Sequence, residues 1–121
     1  MFSVKVKDHI MIAHSLPDPF FGPASNMHGA TYIVTATFMS KKLSDKNVVM
    51  DIGKAHELLQ KALKHLDYKN LDELPQFRGI LTTTEFLASY IHQKVKDGIS
   101  GDVKLRIELD ESHIAAAAYE D

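Results

Sequence analysis

The chain contains no cysteine. That absence removes disulfide bonds, thiolate metal ligands and a cysteine nucleophile together. Net charge is almost as scarce: 14 lysines and arginines against 16 aspartates and glutamates leave −2 over 121 residues. The basic residues are spread along the chain, so nothing electrostatic points to nucleic acid or an acidic membrane as partner. No uninterrupted apolar run could serve as a membrane helix, and Met1-Phe2-Ser3-Val4-Lys5 reads as the start of a strand, without the apolar stretch of a signal peptide. A cytoplasmic location is the simplest expectation. Repeats and low-complexity segments are also missing. With 45% hydrophobic and 25% charged residues, the length suits one core, and residues 1–121 are expected to form a single domain.

What is present is ordered clearly. Residues 3–14 alternate as a strand, residues 15–27 carry Pro17, Pro19, Gly22 and Pro23 and predict a loop, and the Thr- and Val-rich residues 29–39 predict a second strand. Asp51 opens a helix whose apolar positions Ile52, Ala55, Leu58, Leu59, Ala62, Leu63 and Leu66 keep the three-and-four spacing of one buried face. A polar link over 67–75 leads to Thr82-Thr83-Thr84-Glu85, a threonine cap followed by glutamate that marks a second helix with the stripe Phe86, Leu87, Tyr90, Ile91 and Val95. Val103, Leu105, Ile107 and Leu109 then alternate with Lys104, Arg106, Glu108 and Asp110, and a last strand runs from Ile114 towards Tyr119. The order strand, strand, helix, helix, strand, strand predicts an α+β fold, an antiparallel sheet with both helices on one face.

Within this frame the stretch His28-Gly29-Ala30-Thr31-Tyr32 stands out, a His-x-His metal motif with alanine in place of its second histidine. Strand alternation puts His14 on the face of Val4, Val6, Ile10 and Ile12, interrupted only by Asp8, and puts His28, Ala30, Tyr32, Val34, Ala36 and Phe38 on one face of the second strand. Position 30 therefore aims the same way as His28.

Ile12-Ala13-His14-Ser15, His28 to Tyr32, Val48-Val49-Met50-Asp51-Ile52-Gly53, Leu66 to Asp72, Thr83-Thr84-Glu85 and the late Glu111, taken in order and spacing, resemble the 6-pyruvoyl- and 6-carboxy-tetrahydropterin synthase family. The resemblance covers nearly the whole chain. It implies a tunnelling fold, a four-stranded antiparallel sheet with two helices packed on one face. It also implies a homo-oligomer, a trimer or hexamer, with sites between subunits. It implies a metal-dependent lyase acting on the side chain of a reduced pterin of the dihydroneopterin type, with zinc on His14 and His28 and a third ligand missing at Ala30. The family's cysteine falls at Ala24, and its Asp-His pair at Asp67-Tyr68, so Asp67 is the catalytic candidate that survives. Glu111, on the parity of Ile107 and Leu109, matches the carboxylate that anchors the pterin ring, where paired acceptor oxygens suit two parallel N–H donors. Thr83 and Thr84 match the pocket lining. His113, which would share a side with Glu111 in an extended segment, is a candidate third metal ligand or acid–base group.

Plainer roles stand beside these. His14 and His28 could be partly buried structural histidines. Thr82, Thr83, Thr84 and Glu85 are fully explained as a helix start. Asp67 could brace a turn, Glu111 could be a solvent-facing strand end, and Asp51 reads as a cap. His9, His56, His65 and His92 read as surface positions. Two further functional readings are a non-catalytic pterin- or purine-binding protein and an assembly subunit with a vestigial pocket.

Overall fold

The alternation that opens the chain is realised as one long strand: in the computed structural model, which describes residues 1–121, β1 spans Phe2–His14. Val6, Ile10, Ile12 and His14 are buried on one side, with Asp8 half-buried among them. Strand β2, His28–Ser40, runs antiparallel to it in a single register from Phe2 opposite Ser40 to His14 opposite His28. Its buried residues Tyr32, Val34, Ala36 and Phe38 share the β1 core face. Between the strands, residues 15–27 are not wholly irregular. Asp18 accepts the Phe20 N–H, and a 3-10 segment covers Pro19–Ser25.

Helix α1, Ile52–Leu63, starts where Asp51 accepts the Lys54 N–H at 2.9 Å, the capping role read from the sequence. Ala55, Leu58, Leu59, Ala62 and Leu63 are its buried face. Ile52 falls in the exposed first turn, and Leu66 is buried just beyond the last one. Helix α2, Thr84–Lys96, is capped by Thr83, whose Oγ1 accepts the Phe86 N–H at 3.1 Å. The 22 apolar residues of the core fill the space between these helices and one face of the sheet, each large side chain contributing roughly 2 kcal/mol against the entropy of ordering it.

Two expectations about architecture are corrected. The sheet is mixed and has five strands in the order β3-β1-β2-β4-β5, where β3 is Lys69–Asn70, β4 is Lys104–Ser112 and β5 is Ala115–Glu120. The predicted four-stranded antiparallel sheet lacked β3, which pairs parallel with Ile12 and Ala13. Its cause is local: the Asp67 carboxylate accepts the Met11 N–H at 2.9 Å and the Tyr68 N–H donates to the Met11 carbonyl at 2.7 Å, fastening the link to the free edge of β1. Nor are the two α-helices the whole helical complement, since 3-10 segments also cover Pro19–Ser25, Leu71–Glu73 and Pro75–Phe77. Proline at the first helical position helps start the last of these.

His92 is the second kind of correction. It is not a surface residue but lies on the inner side of α2 at 6% exposure, because its Nε2 finds the Leu105 carbonyl at 3.1 Å and the Asp121 carboxylate at 2.9 Å.

Candidate functional site

Most of the residues singled out from the sequence gather at one end of the sheet, where β1 ends, β2 begins and β4 ends. His14 and His28 are opposite each other in the β1–β2 ladder, their rings 4.6 Å apart between centroids and tilted by 65°. His14 is 3% exposed, and its Nδ1 is 2.9 Å from Thr82 Oγ1. Burial and the neighbouring His28 push its pKa below the ordinary histidine value, against a smaller opposing pull from Asp72. Asp72 is itself fixed, accepting both the Ser15 N–H and the Ser15 hydroxyl. His28 is half-buried, with Nδ1 2.8 Å from the Asn26 carbonyl. A carbonyl oxygen only accepts, so Nδ1 carries the hydrogen and the neutral ring keeps its lone pair on Nε2.

Four residues along β2 from His28, or about 13 Å at the usual strand rise, stands Tyr32. Its side chain is buried, and Thr84 in the first turn of α2 is one of the groups that act on its hydroxyl. Burial raises the phenol pKa, against a downward pull from the Thr84 side chain, and the negative charges of Glu111 and Glu85 raise it further. Glu111 arrives there through a bulge. Asp110 pairs with Ala116 but Ser112 pairs with Ala115, which leaves Glu111 as the extra residue on β4. Bulges of this kind turn a side chain away from the regular ladder, and here the extra residue is the carboxylate beside Tyr32. Tyr32 and Thr82 were not among the sequence candidates, although the alternation had already put Tyr32 on the His28 face.

The structure brings together His14, His28, Thr82, Thr83, Thr84, Tyr32 and Glu111. It does not bring in the other two candidates. Asp67 lies outside β1 and spends one oxygen on the Met11 N–H. His113 is exposed in the β4–β5 turn, where the chain reverses just after Ser112. With the intervening strands, these two groups are three to four spacings apart, roughly 14–19 Å. A cavity of about 600 Å³ opens at the opposite end of the sheet, beside Met39, Lys42, Lys96, Val103 and Lys104, and borders none of the candidate residues.

The expected zinc is overturned. A catalytic zinc site uses three protein ligands and one open position, and no group of three or more histidine, cysteine, aspartate or glutamate side chains is arranged to hold a metal ion. His14 and His28 supply two donors. The methyl group of Ala30, half-buried across from Ile12, supplies none, and His113 does not complete the set.

The model of one family, 6-pyruvoyl tetrahydropterin synthase, matches residues 3–121, almost the entire chain. The chain belongs to the 6-pyruvoyl tetrahydropterin synthase family. Among the family's solved structures, the Caenorhabditis elegans 6-pyruvoyl tetrahydropterin synthase superposes with a TM-score of 0.88 over 99% of this chain and 95% of its own, at 21% identity, a likeness of fold. The 6-pyruvoyl tetrahydrobiopterin synthase of Dictyostelium discoideum is 34% identical over 73 residues, 59% of this chain and 54% of that relative. A dihydroneopterin monophosphate aldolase of Pyrococcus furiosus is 29% identical over 80 residues, 66% of this chain and 65% of its own length. The chain thus spans little more than half of the first relative and just under two thirds of the second. Family membership carries potential for pterin-related enzyme chemistry, and no helix here is long and apolar enough to cross a membrane.

Proposed function

We propose that this chain binds a reduced pterin of the dihydroneopterin type, holding the ring at Glu111 and the side chain towards the histidine pair, and acts on that side chain as a lyase without zinc. The observation that carries the reading is the register that pairs Ile33 with Asp110 and so brings Glu111 to the level of the buried Tyr32, one strand segment away from His14 and His28. A carboxylate re-aimed by a bulge presents two acceptor oxygens to the paired N–H donors of a pterin edge. Thr83 and Thr84, at the capped start of α2, are the threonines proposed to line the pocket.

Proton transfer is assigned to Asp67 and His113. Because they stand towards opposite sides of one sheet, the reading includes a closed homo-oligomer in which one copy's β5 edge meets the next copy's other edge, formed by β3 and the part of β1 that β3 leaves uncovered. The open backbone groups on both edges favour such pairing. A second reading, a pterin-binding protein without turnover, is favoured by Ala24 and Ala30, which offer no proton-transfer group and no ligand where the family resemblance places them.

The test is incubation of purified protein with 7,8-dihydroneopterin, following binding by fluorescence titration and products by chromatography. Binding with a cleaved or shortened side chain is the expected result. Binding without product would move the conclusion to the second reading, and absence of binding would remove both.

A further inference from the structure

We propose that His14 and His28 recognise hydroxyl groups of the ligand side chain directly, through their Nε2 atoms, in the place where a metal ion would otherwise mediate the contact. The inference rests on the pterin reading above and adds what the histidine end of the site selects. Its first support is that both rings are already held by the protein. The Asn26 carbonyl fixes His28 through Nδ1 at 2.8 Å, and Thr82 Oγ1 fixes His14 through Nδ1 at 2.9 Å. Neither ring needs a metal to orient it.

The second support concerns the atoms left over. Neither Nε2 has a hydrogen-bond partner within the chain, yet no buried side-chain nitrogen or oxygen lacks a partner. Both Nε2 atoms therefore reach accessible surface. On His28 that atom is an acceptor, because its hydrogen sits on Nδ1. A hydroxyl both donates and accepts, so it can satisfy an imidazole nitrogen in either tautomer. A bare apolar side chain can satisfy neither.

The third support is placement. The pair stands about 13 Å along β2 from the level of Tyr32 and Glu111, a separation suited to a bicyclic ring bearing a short substituent. The chemical class selected is thus a ring with a hydroxylated chain at the end remote from its guanidine-like edge. Ala30 matters here too: on the same face as His28, its methyl group offers a ligand no third polar contact.

The test is titration of the full chain, in buffer containing EDTA, with two probes: 7,8-dihydroneopterin, and a 6-methyl-7,8-dihydropterin that has the same ring and no hydroxyl. Wild type is expected to bind dihydroneopterin at least tenfold more tightly, about the worth of one or two retained hydrogen bonds. His28→Ala should erase most of that preference while leaving the methyl compound's affinity unchanged. His28→Phe keeps a ring against His14 without the acceptor nitrogen and should do the same, which separates recognition from folding. Equal affinity of wild type for both probes overturns the proposal while leaving the pterin reading intact. So does a preference that survives both substitutions, or one that appears only when the EDTA is replaced by zinc. Failure of both probes to bind removes the pterin reading and this inference with it.

Discussion

At the scale of single residues, the site is organised by the hydrogen bonds that histidines make through one nitrogen. His14 is the clearest case, because its ring is buried at the end of β1 and tied across to Thr82, just ahead of the α2 cap. Burial, with His28 beside it, holds its pKa below the ordinary value of 6.5. The unfolded chain therefore takes up a proton on His14 at a pH where the folded chain does not. The stability this provides is complete above about pH 6.5 and is lost as pH falls towards the folded value, with a slope of at most about 1.4 kcal/mol per pH unit for one proton. Urea midpoints measured between pH 7.5 and 5 should fall in wild type. His14→Gln, which can still bond Thr82, should flatten part of that decline. An unchanged slope in the variant would show that the acid sensitivity comes from groups other than His14.

At the scale of elements, β5 is the strand with the least to bury: Ala115 to Ala118 present only methyl groups, and Tyr119 is 47% exposed. It is held instead from its far end. Asp121 accepts the Leu105 N–H at 2.9 Å, meets His92 at 2.9 Å and pairs with Lys96 at 2.7 Å, fastening β5 to β4 and α2. Partial burial would raise the carboxyl pKa, but the Lys96, Leu105 and His92 bonds prevail and hold it far below the carboxylate range. That stability is present above the unfolded value near 3.8 and disappears as pH falls below it. Asp121→Asn should cost about 1–2 kcal/mol at pH 7, the lower part of the range for charged hydrogen bonds because the group is one-third exposed. The difference from wild type in thermal midpoint should shrink at pH 3; a constant difference would assign the loss to packing. This fastening also shows where sequence reading stops. Alternation and caps made β1, β2, α1 and α2 legible because period, Asp51 and Thr83 are all local signals. The partner of His92 is 29 positions away. A two-residue strand such as β3 carries no period, and parity alone does not register the extra residue of a bulge at Glu111.

At the scale of the whole molecule, the geometry that separates Asp67 from His113 decides what kind of site the chain can form. One copy places them on opposite sides of the sheet, beyond β1 and between β4 and β5, roughly 14–19 Å apart by strand spacing. No side-chain motion of that size joins them in a single chain. In the proposed ring, the β5 edge of one copy meets the β3–β1 edge of the next, a head-to-tail contact of the kind that generates rings when the rotation closes. Each junction then takes Asp67 from one neighbour and His113 from the other. Asp67→Asn and His113→Ala should each abolish turnover of dihydroneopterin as homo-oligomers. Dissociated, mixed in equal amounts and reassembled, they should recover activity, because random assembly gives about a quarter of junctions with both native groups. Recovery to that level, with a light-scattering mass of several chains, is the expected outcome. Two inactive variants that stay inactive when mixed, in an assembly shown by mass to have exchanged subunits, would mean that these residues do not meet across a junction, and the site would have to be completed within one chain.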